Sequence, residues 1–151
     1  HGPLLLRGLR VLFAQVPVER QEVPEAGDEF PQVEPALGAE VTYYPSKVRC
    51  CGGMLMTTQE EIALKLNNGL LQAAVDNGAD MIATACPLCE MNLEAYQDKI
   101  NQRFGTSFHI PIVYFSHLVG VALGIPPKSM GIQSFIIPPT KLTAKAEEVR
   151  A

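Results

Sequence analysis

The residues in this sequence whose type and spacing best suit chemistry are its four cysteines, which form two pairs. Cys50 and Cys51 are adjacent and precede two glycines, and Cys86 and Cys89 form a C-x-x-C motif. Four thiolates can hold zinc or an iron–sulfur cluster. Glycines beside adjacent cysteines let the backbone bend closely around a large inorganic core. The pattern therefore predicts that Cys50, Cys51, Cys86 and Cys89 are metal ligands.

The same cysteines allow other interpretations. A zinc-stapled structural or docking module would use the same ligands without redox chemistry, although the adjacent pair fits poorly with zinc motifs in which a few residues separate the cysteines. A metal-free oxidoreductase would use Cys86 and Cys89 as a redox dithiol. Two disulfides in a secreted protein, or four buried unreactive thiols, also agree with the composition. The residues alone leave these alternatives open.

Short apolar runs and helical periodicity predict the elements that position the cysteines. Runs rich in β-formers predict strands at residues 9–15, 40–44, 81–85 and 110–115. Apolar residues at helical spacing predict helices at residues 57–76, 87–104 and 116–123. Thr57 and Glu60 would form a capping box at the start of the first helix. The apolar face of that helix is expected to hold Ile62, Leu66, Leu70 and Ala74, together with Ala63, Leu71 and Ala73.

Strands that alternate with helices indicate an α/β fold with a mostly parallel sheet flanked by helices. Cys86 and Cys89 then lie where a buried strand meets a helix N-terminus, with Pro87 in the first turn. Backbone N–H groups and the helix dipole favour negative charge at that position. In a parallel sheet both cysteine pairs can lie at the carboxyl edge, where ligands usually bind.

Size and composition narrow the class of protein. A chain of 151 residues fits one domain. The net charge of −4 argues against nucleic acid as the main partner. No apolar run approaches the roughly 20 residues that span a bilayer, and no signal peptide is visible, so we expect a cytoplasmic protein. Residues 17–35 are rich in proline and acidic residues and are predicted to form a long solvated loop.

The arrangement of the cysteines resembles the CCG domain found in the B-type subunit of heterodisulfide reductase. Between Cys51 and Cys86 lie 34 residues (52–85), and the C-x-x-C motif continues as CPLCEMNLE. Further matching segments are Leu37-Gly38-Ala39-Glu40, Tyr44-Pro45, EEIALKL at residues 60–66 and Leu123-Gly124. The resemblance is closest to the second, C-terminal CCG domain of that subunit. It covers about residues 4–142, which leaves 143–151 as a charged C-terminal tail.

The resemblance implies a cofactor. CCG domains hold noncubane [4Fe–4S] clusters, and Cys50, Cys51, Cys86 and Cys89 match four of the family's ligands. The family also uses an earlier cysteine, which would fall near Val16-Pro17, and this chain has no cysteine before Cys50. We therefore expect an incomplete cluster, or one completed by substrate sulfur or by a partner.

The resemblance also implies a function. The chain would be about half of an iron–sulfur redox subunit that transfers electrons to or from a disulfide or thiol within a multi-subunit complex. The implied partners are a ferredoxin-like subunit, a flavin subunit, and either a small disulfide or a sulfur carrier protein.

Residues around the cysteines invite secondary expectations. Lys47 and Arg49 could offset the charge of an anionic cluster, or could be ordinary surface cations. Met54 and Met56 are expected to pack over the site. His117 is expected to pack in the core or contact a partner, with a position near the cluster as the alternative.

Overall fold

Four parallel strands form the centre of the fold, which confirms the predicted α/β class with a parallel sheet. The computed structural model describes residues 5–14, 37–42 and 49–150. The strands are β1 (Arg10–Ala14), β2 (Glu40–Thr42), β3 (Met81–Thr84) and β4 (Ile112–Tyr114), in the order β2-β1-β3-β4. β1 pairs with β2 on one side and with β3 on the other. The direction of winding therefore reverses between β1 and β3, and such a switch point opens a crevice at the carboxyl edge of the sheet.

Six α-helices surround the sheet in the described part of the chain. They are α1 (Leu55–Thr58), α2 (Glu60–Asp76), α3 (Pro87–Ala95), α4 (Gln97–Phe104), α5 (Phe115–Ala122) and α6 (Thr140–Arg150). Two short 3-10 helices, Pro127–Met130 and Ile132–Ser134, lie between α5 and α6. None of the helices among the described residues has the length and apolar character needed to cross a membrane.

Alternate residues of the strands divide the core into two apolar clusters, one on each face of the sheet. The first, which we call the cysteine face, contains Leu12, Ile82 and Ile112 together with residues of α2, α3 and α4 and the buried Cys51 and Cys89. The second, which we call the opposite face, contains the neighbouring strand residues and the helices α5 and α6. Its strand and helix members are Val11, Met81, Ala83, Val113, Leu118, Val121, Ala122, Leu142 and Ala146.

The prediction of one helix at residues 57–76 was wrong at its start. Gln59 leaves the helical region (φ −141°, ψ 63°) and separates α1 from α2. Thr57 does not form the predicted capping box, because its hydroxyl donates a hydrogen bond to the carbonyl of Met54 (2.8 Å). Ile62, which was predicted to be buried, is 47% exposed. The rest of the predicted apolar face is largely confirmed, because Ala63, Leu70, Leu71 and Ala74 are buried, and Leu64 is buried in addition.

The helix predicted at residues 87–104 is also interrupted, at Tyr96 (φ −103°, ψ 8°). Next to the break, the buried amide of Gln97 donates to the carbonyls of Leu93 and Ile110 (2.9 and 2.7 Å) and accepts from the N–H of Ile110 (2.9 Å). Both backbone groups of Ile110 therefore bond to a side chain rather than to a strand. This explains why β4 starts only at Ile112, two residues after the predicted start.

Other boundaries differ by one or two residues. β3 ends at Thr84 rather than at Ala85, and Phe115 begins α5 instead of ending β4. The predicted loop at residues 17–35, together with positions 15, 43 and 44 of the predicted strands, lies outside the described residues. The charged C-terminal segment is helical, and Leu142 and Ala146 of α6 are buried. The domain boundary at residue 142 stays a prediction.

Candidate functional site

The loop that carries Cys50 and Cys51 depends on glycine. Gly52 has a φ of +96° and Gly53 a φ of +48°, a region that side chains rarely adopt. A Cβ on Gly52 would lie 3.3 Å from the Leu66 Cδ1 and 3.4 Å from the Ala63 Cα. The two glycines thus turn the chain sharply and let the loop lie directly against α2.

The second cysteine pair begins α3, as predicted. Cys86 is the N-cap residue in an extended conformation, and Pro87 occupies the first turn. The N–H of Cys86 donates to the hydroxyl of Thr84 at the end of β3 (3.1 Å), which fixes the turn from strand to helix. Cys89 follows one turn later and is fully buried.

The fold brings the two cysteine pairs together. The sulfur atoms of Cys51 and Cys89 lie 3.1 Å apart, although 38 positions separate them in sequence. Cys51 and Cys89 are buried, Cys86 is partly buried and Cys50 is exposed. Within the described ranges, no group of three or more His, Cys, Asp or Glu is arranged to hold a metal ion. The Cys51–Cys89 contact is thus the part of the predicted ligand set that is already assembled.

Several N–H groups point at the cysteine sulfurs. The N–H of Gly52 donates to the Cys50 sulfur and the N–H of Gly53 to the Cys51 sulfur, each at 3.4 Å. The amide of Asn92 donates to the same Cys51 sulfur at 3.7 Å. Such donors stabilise negative charge on sulfur.

The electrostatics of the buried pair follow from this geometry. The pKa of the Cys51 thiol is lowered to about 6, because Cys89 donates a hydrogen bond to it and Gly53 and Asn92 add theirs. The pKa of Cys89 is raised, because its proton is held by Cys51 and the group is buried. The geometry therefore favours negative charge on the Cys51 sulfur, with the Cys89 thiol as the donor to it.

Two buried asparagines support the site and were not predicted as functional residues. Asn67 on α2 donates to the carbonyls of Cys51 and Ala63, both at 2.7 Å. Asn92 on α3 donates to the carbonyl of Gly53 at 2.9 Å. The side-chain oxygens of both find no partner among the described residues.

A second polar cluster lies next to the cysteines on α3. The hydroxyl of Tyr114, at the end of β4, donates to a carboxylate oxygen of Glu90 (3.4 Å). Burial raises the pKa of Glu90, and the neighbouring Glu94 raises it further. Burial and Glu90 also raise the pKa of Tyr114. Glu94 accepts a hydrogen bond from the N–H of Ile137 (3.2 Å), which ties α3 to the segment before α6.

The secondary expectations had mixed outcomes. Met56 is buried, but Met54 is 63% exposed and does not pack over the site. Arg49 is exposed, and Lys47 lies outside the described residues. His117 is partly buried: its Nδ1 accepts from the N–H of Tyr114 (3.1 Å), and its Nε2 contacts the carbonyl of Met130 (3.2 Å). His117 is therefore a structural residue that caps α5.

The donor set suits a thiolate-bound metal centre. Two thiolates on one tetrahedral metal lie about 3.8 Å apart, and thiolates on different irons of a cluster lie farther apart, so the Cys51 and Cys89 sulfurs must separate from 3.1 Å to bind either. Cys86 is the N-cap residue of the helix that carries Cys89. The N–H groups directed at Cys50 and Cys51 match the hydrogen bonds that sulfur ligands of anionic clusters receive. The residues present therefore fit an iron–sulfur cluster.

Comparisons with known proteins identify relatives that match most of this chain. The 8-methylmenaquinol:fumarate reductase membrane anchor subunit of Wolinella succinogenes is 35% identical over 113 residues, 75% of this chain and 40% of that protein. The B-type subunit of the ferredoxin:CoB-CoM heterodisulfide reductase of Methanosarcina mazei is 32% identical over 124 residues, 81% of this chain and 41% of that protein. The B-type subunit of the ferredoxin/F420H2-dependent CoB-CoM heterodisulfide reductase of Methanosarcina acetivorans is 33% identical over the same share of both chains.

This chain thus spans about two fifths of the length of the curated relatives that it matches. The sequence profile of the cysteine-rich domain, CCG, matches residues 17–94, which include all four cysteines and more than half of the chain. The chain therefore belongs to the CCG cysteine-rich domain family and resembles the B-type subunit of heterodisulfide reductase.

Proposed function

We propose that this domain binds an iron–sulfur cluster through Cys50, Cys51, Cys86 and Cys89 and serves as the redox domain of a multi-subunit oxidoreductase. The observation that carries the proposal is the contact between the Cys51 and Cys89 sulfurs, which joins the Cys50–Cys51 loop to the start of α3. Both sulfurs are buried, so they are shielded from solvent oxidants.

The surroundings of the sulfurs favour an iron–sulfur cluster over zinc. N–H groups that donate to cysteine sulfur stabilise the reduced, more negative state of a redox centre. Two backbone N–H groups and the Asn92 amide donate in this way. A zinc staple has no redox state to tune, although its affinity also benefits from such bonds. Zinc remains the alternative cofactor, for a structural or docking module without redox chemistry.

The reaction we propose is electron transfer to or from a disulfide or thiol. Reduction of a disulfide consumes two electrons and two protons, breaks the S–S bond and yields two thiols. The names of the two Methanosarcina relatives support a disulfide as substrate and a ferredoxin as electron donor. A ferredoxin-like subunit and a flavin subunit are the partners we propose for a cytoplasmic complex, with a small disulfide or a sulfur carrier protein as the substrate.

A second setting is favoured by the Wolinella relative, whose name places it in a quinol:fumarate reductase. There the same cluster would pass electrons between subunits of a respiratory complex, and no disulfide would be consumed. The cysteine site serves either setting, because both need a buried redox centre.

The number of cysteines limits how many iron positions of the proposed cluster this chain can bind. The chain has four cysteines, and none stands near Val16-Pro17, where the family places an earlier ligand. We propose that the [4Fe–4S]-type cluster is incomplete, or is completed by substrate sulfur or by a ligand from a partner. An open iron position would let the substrate sulfur bind directly.

The test is reoxidation of the reduced protein. Protein purified anaerobically from its native host, with its partner subunits, is reduced and mixed with a small aliphatic disulfide. We expect the visible absorbance of the oxidised cluster to return and two thiols to appear for each disulfide consumed. Met91→Leu, an exposed change on α3, should behave as the wild type, and Cys86→Ser should lose the response. Reoxidation by a fumarate-reducing partner but by no disulfide would favour the second setting.

A further inference from the structure

Asn92 occupies a special place between the two cysteine pairs. It lies three residues after Cys89, on the same side of α3, and is fully buried. Its Nδ2 is 2.9 Å from the Gly53 carbonyl and 3.7 Å from the Cys51 sulfur. One side chain on the C-x-x-C helix thus contacts both the backbone and a sulfur of the other cysteine loop.

The orientation of this amide is fixed by its neighbours. The Gly53 carbonyl can only accept a hydrogen bond, so the NH₂ group of Asn92 must face it. The same NH₂ group carries a second proton, which can be directed at the Cys51 sulfur. The contact with sulfur is therefore a donor contact.

We infer that Asn92 is a positioning residue that sets the reduction potential of the cysteine site through its hydrogen bond to the Cys51 sulfur. The inference rests on the proposed function, since it concerns a redox centre held by Cys51. A donor to a ligand sulfur offsets the negative charge that builds up on reduction. Asn92 therefore makes the bound centre easier to reduce.

Asn67 provides a matched control. It too is a fully buried asparagine on a helix, and it too donates to a carbonyl of the cysteine loop, that of Cys51 (2.7 Å). Its other hydrogen bond goes to the Ala63 carbonyl of its own helix, and not to a sulfur. Replacing each asparagine by alanine removes one bond to the loop backbone, but only Asn92→Ala removes a bond to sulfur.

The experiment is a potentiometric titration of the anaerobically purified complex, with the wild type, Asn92→Ala and Asn67→Ala compared at equal iron content. We expect the midpoint potential to move to a more negative value in Asn92→Ala, and to move less in Asn67→Ala, because Asn67 bonds to the carbonyl of Cys51 but to no sulfur. Equal shifts in the two variants, or no shift in Asn92→Ala, would overturn the inference and leave the cluster assignment intact.

Two further measurements keep the outcome decisive. If Asn92→Ala does not fold, wild-type protein labelled with ¹⁵N in asparagine side chains should show a nitrogen coupling to the reduced cluster in pulsed EPR, and its absence would overturn the inference.

If the wild type contains no iron, the proposed function fails, and Co²⁺ bound to the metal-free protein becomes the probe. Its sulfur-to-cobalt charge-transfer band should move to lower energy in Asn92→Ala alone. A wild type that binds neither metal would overturn both proposals.

Discussion

The two faces of the sheet are built differently. On the opposite face, α5 and α6 bury apolar side chains against Val11, Met81 and Val113. On the cysteine face, apolar packing is interrupted by polar groups and thiols. All buried polar residues among those described belong to α2, α3, α4 or the end of β3: Asn67, Thr84, Asn92, Glu94 and Gln97.

This difference indicates a division of roles. Burial of apolar side chains lowers the free energy of the folded state. Burial of polar groups raises it unless their donors and acceptors are paired. The side-chain amides of Asn67 and Asn92 on the cysteine face donate hydrogen bonds to the backbone of the cysteine loop. We therefore expect the opposite face to contribute to stability alone, and the cysteine face to contribute both to stability and to the candidate site.

The largest effect is expected from leucine truncations on the two faces. Leu93 on the cysteine face and Leu118 on the opposite face are both fully buried in helices. Each Leu→Ala change should lower the free energy of unfolding by about 2–5 kcal/mol, measured by urea denaturation. Leu118→Ala should keep its metal content when folded. Leu93→Ala should lose metal, because Leu93 belongs to the same apolar core as the buried Cys51 and Cys89. Equal metal contents would argue against separate roles for the faces.

A smaller effect is expected at the glycines. Gly52→Ala places a side chain at φ +96° against Ala63 and Leu66, and should cost about 1–2 kcal/mol from backbone strain alone. It should also reduce metal binding, because the cysteine loop must shift. Gly105, which ends α4 at φ +68°, faces open space. Gly105→Ala should cost about 1 kcal/mol from its left-handed backbone and leave metal content unchanged, as measured by thermal unfolding and metal analysis. Full metal content in Gly52→Ala would show that the loop tolerates displacement.

The smallest effect concerns His117 and pH. Burial lowers the pKa of His117, so the folded protein favours the neutral ring that accepts from the N–H of Tyr114. The unfolded chain binds the proton more readily, since the ordinary pKa is about 6.5. The contribution of His117 to the free energy of unfolding is therefore complete above about pH 6.5. It is lost as the pH falls from there through the lower pKa of His117 in the folded state. The melting temperature of His117→Gln should decline less between about pH 7.5 and pH 5.5 than that of the wild type. The exposed His109 is the control, and an equal decline in His109→Gln and His117→Gln would contradict the assignment.

The sequence was a good guide to the sheet and a poorer one to the helices. Runs rich in β-formers predicted all four strands, because a buried parallel strand needs such residues wherever it lies. The breaks at Gln59 and Tyr96 were missed. The second lies beside the hydrogen bonds of Gln97 with Ile110, which join residues distant along the chain. Helical periodicity carries no information about such contacts.

The sequence also predicted only part of the candidate site. The spacing of the cysteines and the glycines beside them predicted which segments would meet, and the contact of the Cys51 and Cys89 sulfurs agrees with it. Asn67 and Asn92 were not predicted as part of the site, because an asparagine within a helix is usually a surface residue. A signal was present: Asn92 stands three residues after Cys89, on the side of the helix that faces the other cysteine loop.

The most direct test of the central claim is the iron and acid-labile sulfide content of protein purified anaerobically from its native host. We expect iron and sulfide in comparable amounts in the wild type. We expect the loss of both in Cys86→Ser together with a lower melting temperature, because metal binding contributes to folding. Mössbauer spectra of the same sample would report how the irons are arranged. Stoichiometric zinc without iron in the wild type, or unchanged iron in Cys86→Ser, would contradict the account.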